Sequence, residues 1–296
     1  LTEPLQRAIR VDIMIFHQPT LADQPYFTVG SSLLAYEYQF SYCILWERTD
    51  HITVAETDIG LYIHNRIQDA FLYPITNDID KAMDELKEYC LQTGTRFALE
   101  CVPKEQAEEL ELKGYHIEHT RDLDDYLYNG MRLVTLSGKH LQSKRNHISQ
   151  FKRDYHYEAQ PMTKEDIPDV MSLDWCWIQC NTDDKETEEE RMAIKQAFRF
   201  WDELGFLGTS VRIDGKMVAF CIGQIIDKKL AISHFEKADT KYAGVYSVIN
   251  QAYANMYLAD IEYVNRQEDM GLEGLRKSKL SYHPAMMVEK YNVTEC

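Results

Sequence analysis

From Ile15 to Asn129, short runs of alternating apolar and polar residues sit among longer stretches in which apolar residues recur at helical spacing. The runs 15–20 (IFHQPT), 51–56 (HITVAE), 60–65 (GLYIHN) and 70–76 (AFLYPIT) read as short strands, with polar and helical material through Trp46 after the first. Asn77 is a candidate N-cap for a helix in which Ile79, Met83, Leu86 and Cys90 form one stripe and Gly94 ends it. A strand over 96–102 leads to a helix opened by Pro103 and closed by Gly114. Strands over 115–122 and 124–129 complete this half.

The second half repeats the order. A strand over 156–163 precedes a helix with a capping-box-like start at Thr163–Asp166 and a stripe of Val170, Leu173, Trp177 and Ile178. The acidic run 183–190 (DDKETEEE) reads as the solvated, dipole-favoured start of a second helix through Phe198 and Trp201. Strands follow over 206–213, 217–226 and 230–236, then a helix from about Gly244 to Ala259. A strand over 261–267, a helix over 271–282 and one final strand over 285–293 end the chain. Two halves with one element order predict an α/β (α+β) protein of two duplicated units, each a mixed sheet flanked by helices. The boundaries expected are 14–135 for the first unit, and 136–296 for a linker helix plus the second. Residues 1–13 precede Met14, which reads like a fresh start, and carry no functional expectation.

Composition narrows the function classes. A length of 296 residues suits two domains. Forty-eight acidic against 32 basic side chains give a formal net charge of −16, which argues against a whole surface that clings to nucleic acid or anionic lipid. Seven scattered cysteines without a CxxC pair read as reduced thiols. Cys176 and Cys180, at i,i+4 with no second ligand pair nearby, read as thiols and not as a zinc site, so no metal is expected. No apolar run approaches the roughly 20 residues of a membrane span, so the expectation is a soluble, cytoplasmic protein.

Within this acidic chain, residues 138–153 (GKHLQSKRNHISQFKR) hold five Lys or Arg and no acid. Leu141, Ile148 and Phe151 give the segment one apolar stripe, so it should dock as a helix with Lys144, Arg145, Lys152 and Arg153 outward or in a cleft. Those cations either bind phosphates or pair with surrounding acids as a structural bridge. Asn146 and His147, at its middle, are not explained by charge alone.

Three stretches carry a resemblance: the basic helix (LSGKHLQSKRNHISQFKRDY), the segment EKADTKYAGVYSVINQAYA, and the C-terminal block VNRQEDMGLEGLRKSKLSYHPAMMVEKY. They are similar to the C-terminal catalytic domain of phosphatidylglycerol lysyltransferases, and the element order resembles the GNAT acyltransferase fold. The resemblance implies a tandem GNAT-like fold and a transferase ancestry shared with Fem-type aminoacyltransferases. It implies an acyl donor, a charged tRNA end or an acyl-CoA, used as a substrate and not held as a tight cofactor. The acceptor would be a small molecule or a peptide. The lysyltransferases add a multi-span membrane region that supplies the lipid, and no such region is present here, which puts a lipid acceptor in doubt.

Candidate site residues follow. In GNAT enzymes a glycine turn at a helix N-terminus cradles the CoA pyrophosphate, and Lys241 and Gly244 match its basic and glycine positions. Tyr246 replaces a small residue there, and Gly244 equally suits a plain turn. Alternation over 230–236 puts His234 and Glu236 on one face, where a base for the attacking amine or hydroxyl is needed. In the C-terminal block, Asn265 and Glu268 with Asn146 are candidates for orienting substrate, and Asp269 for catalysis. Arg276 and Lys279, like Lys144 and Arg145, are candidates for phosphate, and Tyr282 for general acid or plain packing. The expected activity is an acyl- or aminoacyl-transferase with its site in the second unit. The alternatives are a CoA-dependent N-acetyltransferase and a non-catalytic binding protein that keeps the fold. Trp175, Trp177, Phe198, Phe200 and Trp201 are expected in the core.

Overall fold

A computed structural model describes residues 14–180 and 185–296, so 1–13, the first residues of the acidic run and the Cys180 side chain lie outside the described residues. In chain order the first half holds α1 (Phe40–Asp50), β1 (Thr53–Glu56), β2 (Gly60–Asn65), β3 (Ala70–Phe71), β4 (Ile75–Thr76), α2 (Ile79–Thr93), β5 (Ala98–Pro103), α3 (Lys104–Leu112), β6 (His116–His119), β7 (Asp125–Asn129) and α4 (Gly130–Thr135). The second holds α5 (Gln142–Asp154), β8 (Tyr157–Pro161), α6 (Ile167–Cys180), α7 (Lys185–Arg199), β9 (Phe206–Ile213), β10 (Lys216–Ile225), β11 (Leu230–Ala238), α8 (Val245–Tyr257), β12 (Tyr263–Asn265), α9 (Glu273–Leu280), β13 (Met286–Val288) and β14 (Lys290–Thr294).

Local signals account for most of these elements. The cap of α2 is Asp78, not Asn77: its side chain accepts from Lys81 N, and Gly94 in the left-handed region closes the helix. Thr163 and Asp166 form the expected capping box, at the short 3-10 turn that leads into α6. Residues 15–20 make no strand; only His17 bridges to Val54.

The sheets run β1-β2-β3-β5-β14-β6, with β4 on β2, and β13-β7-β12-β11-β10-β9-β8. Each has one parallel pair at its centre, β3 with β5 and β11 with β12. The final strand expected over 285–293 divides at Glu289. Met286–Val288 pairs with β7 in the second sheet, while Lys290–Thr294 pairs with β5 and β6 in the first. Conversely β7, which follows β6, pairs with β12 and β13. The halves therefore exchange strands reciprocally, and a cut at 135/136 would leave each sheet without a strand that the other fragment carries.

The exchanged strands begin side by side at buried charges. Lys290 Nζ lies 2.7 Å from Asp125 Oδ1 and 2.7 Å from Glu37 Oε1, and Lys290 and Asp125 are fully buried. Asp125 Oδ2 also accepts from Tyr36 N at 2.9 Å and Asn265 Nδ2 at 2.7 Å. Around this point one apolar cluster joins Phe40, Ile44 and Leu45 of the first half to Ile194, Phe198, Trp201 and Phe220 of the second. Phe198 and Trp201 are thus core residues, as expected, whereas Trp175 is 47% exposed and lies over Arg191.

Removing one member of a buried ion group strands the others. Lys290→Met is expected to lower stability by about 3–5 kcal/mol in chemical denaturation, because two buried carboxylates lose their cation. A loss under about 1 kcal/mol would show that the triad does not hold the crossing.

Candidate functional site

β11 and β12 pair only from Leu230↔Tyr263 to Ile232↔Asn265 and then part. The loop that follows β12 is held at almost every polar group. Lys279 Nζ donates to the carbonyls of Arg266 (2.7 Å), Gln267 (3.0 Å) and Glu268. Asn265 Oδ1 accepts from Gln267 N at 2.7 Å. The Gln267 side chain bridges the gap between the strands by donating to the carbonyls of Ser233 (3.1 Å) and His234 (3.3 Å). Asp269 is fully buried and accepts from Arg276 Nε (2.8 Å) and Nη2 (2.7 Å), Gly271 N (3.0 Å) and the Tyr126 hydroxyl. Burial works to raise the Asp269 pKa, but the bonds from Arg276 and Tyr126 outweigh it and hold the carboxyl at about 2. Two non-glycine residues of this loop, Gln267 and Met270, have φ of 59° and 54°, a backbone that persists only when its surroundings impose it.

Amid this restraint, Glu268 Oε2 is buried and has no hydrogen-bond partner. Its charge raises the pKa of Tyr36, Glu37 and Asp50 in the first half, which places it on that side of the loop. The Tyr36 hydroxyl accepts from Trp46 Nε1. Burial pushes the carboxyls of Asp50 and Glu100 up to about 6 and about 7. It raises the Glu37 pKa against the pull of Lys290, and Glu37 Oε2 also lacks a partner. Such a set of partly desolvated acids beside aromatic faces suits a cation.

His234 reaches the same side by a route that alternation did not predict. Ile222 pairs with Phe235 and Gly223 with Ser233, so His234 is the extra residue of a β-bulge. The bulge separates the pair expected on one face. His234 packs between Tyr36 and Phe206 at ring separations of 5.5 and 5.3 Å. Glu236 lies on the other face with Asn250 and Arg266. Both His234 ring nitrogens are buried without a partner, and burial holds its pKa at about 3, so the ring is neutral.

On that other face, Arg266 Nη2 lies 3.1 Å from Glu236 Oε2, and Asn250 Nδ2 donates to Glu236 Oε1 at 2.6 Å. Tyr282 is buried beneath Arg266 and Lys144, and burial pushes its pKa up to about 12. Glu236, Tyr282 and Lys144 therefore come together, with Arg266 and Asn250 as partners that sequence reasoning missed.

Several candidates turn out to hold the fold. Arg145 donates to the carbonyls of Leu136 and Gly138, closing the end of α4. Arg276 is taken by Asp269 and Asp122, Lys279 by the loop carbonyls, and Asn265 by Asp125, Leu34 O and Gln267 N. Asn146 is exposed and accepts from Gln142. Asp269 has its oxygens committed to donors, which leaves no lone pair suited to a base. Lys241 is exposed, and a Cβ on Gly244 would lie 3.0 Å from the His147 carbonyl, so α5 occupies the approach to that turn. Tyr246 turns its hydroxyl to accept from Trp177 Nε1 at 3.1 Å. Among the described residues no cluster of three or more His, Cys, Asp or Glu side chains could hold a metal, and no helix is long and apolar enough to cross a membrane. Of the missed residues, Tyr36, Glu37, Trp46, Asp50 and Glu100 come from segments outside the C-terminal block and Lys290 from its end, and only a charge set among aromatic or apolar neighbours marks Glu37 and Lys290.

Comparison with known proteins agrees with this layout. The family model for Phosphatidylglycerol lysyltransferase, C-terminal, matches residues 31–294. A conserved protein of unknown function from Bacteroides thetaiotaomicron superposes with a TM-score of 0.88 at 31% identity, over 96% of this chain and 100% of its own. The L-PGS of Bacillus licheniformis superposes with a TM-score of 0.65 at 12% identity, over 95% and 93% of the two chains. FemX gives 0.63 at 8% identity, over 94% and 97%. The fold is thus a tandem GNAT-like fold of two mixed sheets flanked by helices.

The loop predicts two opposite mutational behaviours. Lys279→Met should lower stability by about 2–3 kcal/mol in urea titration, because buried carbonyls lose a charged donor. Glu268→Gln should leave stability within about 0.5 kcal/mol of the parent or raise it, since its buried Oε2 makes no hydrogen bond.

Proposed function

Because the chain belongs to the phosphatidylglycerol lysyltransferase C-terminal family, we propose that it is an aminoacyltransferase whose reaction site is the compartment of Glu268, Tyr36, Trp46, Asp50 and His234. The observation that carries this reading is the Glu268 carboxylate, aimed without a partner from a loop whose other polar groups are committed. An aminoacyl donor presents its amino group as a cation, which Glu268 and the neighbouring acids match in charge. The Tyr36 and Trp46 rings match its apolar stem.

The chemistry needs a base near neutrality and a dry surrounding. As the nitrogen or oxygen of the acceptor adds to the acyl carbon, its proton passes to a carboxylate of the compartment. Asp50, with its carboxyl pushed up to about 6, has the strength for this at neutral pH. On collapse the bond to the leaving oxygen breaks and that oxygen recovers a proton. Two facts weigh against a CoA donor held at the α8 turn: the His147 carbonyl beside Gly244, and the Tyr246–Trp177 bond.

Transfer of labelled amino acid from charged tRNA to amine and hydroxyl acceptors tests the reading, with acetyl-CoA as the competing donor. Glu268→Gln is expected to lower transfer by about 100-fold or more, consistent with loss of a positioned charged group. Full activity in Glu268→Gln, or transfer from acetyl-CoA alone, would overturn it, and silence with every donor would favour a binding protein.

The acids also set a pH dependence. Asp50 and Glu100 have raised pKa values, so in the ligand-free protein they stay protonated below about 6 and 7 and ionise as pH rises. Affinity for a cationic amino-acid amide should therefore rise between about pH 5 and 8. Calorimetric titration at several pH values checks this trend.

A further inference from the structure

We propose that Lys144 and Arg266, set around the Tyr282 phenol, form a binding site for the phosphate group of a phosphate ester. Lys144 Nζ lies 4.1 Å from the Tyr282 ring centroid, and the Arg266 guanidinium carbon lies 4.9 Å from the same ring. Arg266 gives Nη2 to Glu236, while its Nη1 is buried and has no partner among the described residues. Glu236 is shared further with Asn250. One carboxylate thus faces two cations, and no carboxylate lies within ion-pair distance of Lys144 among the described residues. The other described lysines that are not exposed do find oxygens: Lys87 with Glu295, Lys164 with Asp202, Lys237 with Glu190, Lys290 with Asp125 and Glu37, and Lys279 with three carbonyls. An unmatched, half-buried positive charge in a chain of net charge −16 is the feature that calls for an anion.

The surroundings match a tetrahedral oxyanion. Lys144 comes from α5 and Arg266 from the loop after β12, so two cations from separate elements converge on the ring of Tyr282, which follows α9. The Tyr282 hydroxyl is hydrogen-bonded with Ser247, and burial pushes its pKa up to about 12, so the ring stays neutral between the cations. Burial and the Arg266 charge lower the Lys144 pKa, a penalty that a bound anion relieves. Arginine and lysine together suit phosphate, one by its planar fork and the other as a point charge. Lys144 stands three residues before His147, whose carbonyl occupies the space beside Gly244, so α5 closes the turn expected to bind phosphate and offers this site next to it. That the phosphate belongs to the acyl donor rests on the transferase reading; its binding at this place does not.

Calorimetric titration of the full chain with inorganic phosphate, adenosine 5′-monophosphate and glycerol 3-phosphate tests the site. Lys144→Met, which keeps an apolar stem over Tyr282, is expected to weaken phosphate binding by about tenfold, the effect of one charge-assisted contact. Lys152→Met, on an exposed position of the same helix, should leave it unchanged. Tighter binding of the adenosine ester would assign the phosphate to a nucleotide, and of the glycerol ester to a lipid headgroup. Equal binding of phosphate by the parent and Lys144→Met, or no binding of any of the three by the folded parent, overturns the proposal. A protein that binds phosphate in this way yet transfers no acyl group keeps the site and loses only the transferase reading.

Discussion

The buried ion triad of Lys290, Asp125 and Glu37 is the constraint on which the rest of the molecule depends. It lies where each half hands a strand to the other, so the first residues of β7 and β14 are tied together by charge before they diverge into separate sheets. Asp125 then spends its second oxygen on Tyr36 N and Asn265, which join the aromatic wall of the compartment to the start of the loop that carries Glu268. Burying three charges stabilises little by itself, but breaking the set is severe, and that asymmetry suits a point that must specify one crossing geometry.

From that crossing outward, polar groups divide into those that hold and those left open. Lys279, Asp269, Arg276 and Gln267 are all committed to keeping a loop with two left-handed non-glycine residues in one shape. The cost of such a backbone is of order 1–3 kcal/mol per residue and persists only where the surroundings impose it. What the restraint delivers is position: Glu268 and the bulged His234 face the first half with nitrogen and oxygen atoms unmatched.

The divergence of β11 and β12 separates two chemical environments. Toward the first half lie desolvated acids and aromatic rings, suited to a cation. On the opposite face lie Lys144, Arg266 and Tyr282, suited to an anion, in a chain whose overall charge would repel one. The Gln267 amide sits in the gap between them, satisfying two carbonyls that the parted strands leave unpaired. A donor with a cationic acyl group and an anionic carrier would find both complements around one short stretch of β11.

Local pattern determined much of this protein: most of the strands and helices from Thr53 onward, the capping box at Thr163, the glycine closing α2, the docked basic helix and the density of chemistry around Asn265–Gly271. Those features follow from interactions within a few residues, which is where periodicity and capping act. Pattern also placed Glu268, Glu236, Tyr282 and Lys144 among the candidates. It could not tell an arginine that clamps Asp269 from one that awaits a ligand, because both read as a cation on a helix. Nor could it show the division at Glu289, since a strand that changes sheets keeps the same alternation throughout. The bulge that parts His234 from Glu236 depends on a neighbouring strand's register. Tyr36, Trp46 and Asp50 lie far from Glu268 in sequence, as Glu37 and Asp125 do from Lys290. Charge neutralisation, strand exchange and burial are properties of what surrounds a residue, and only the tertiary structure decides them.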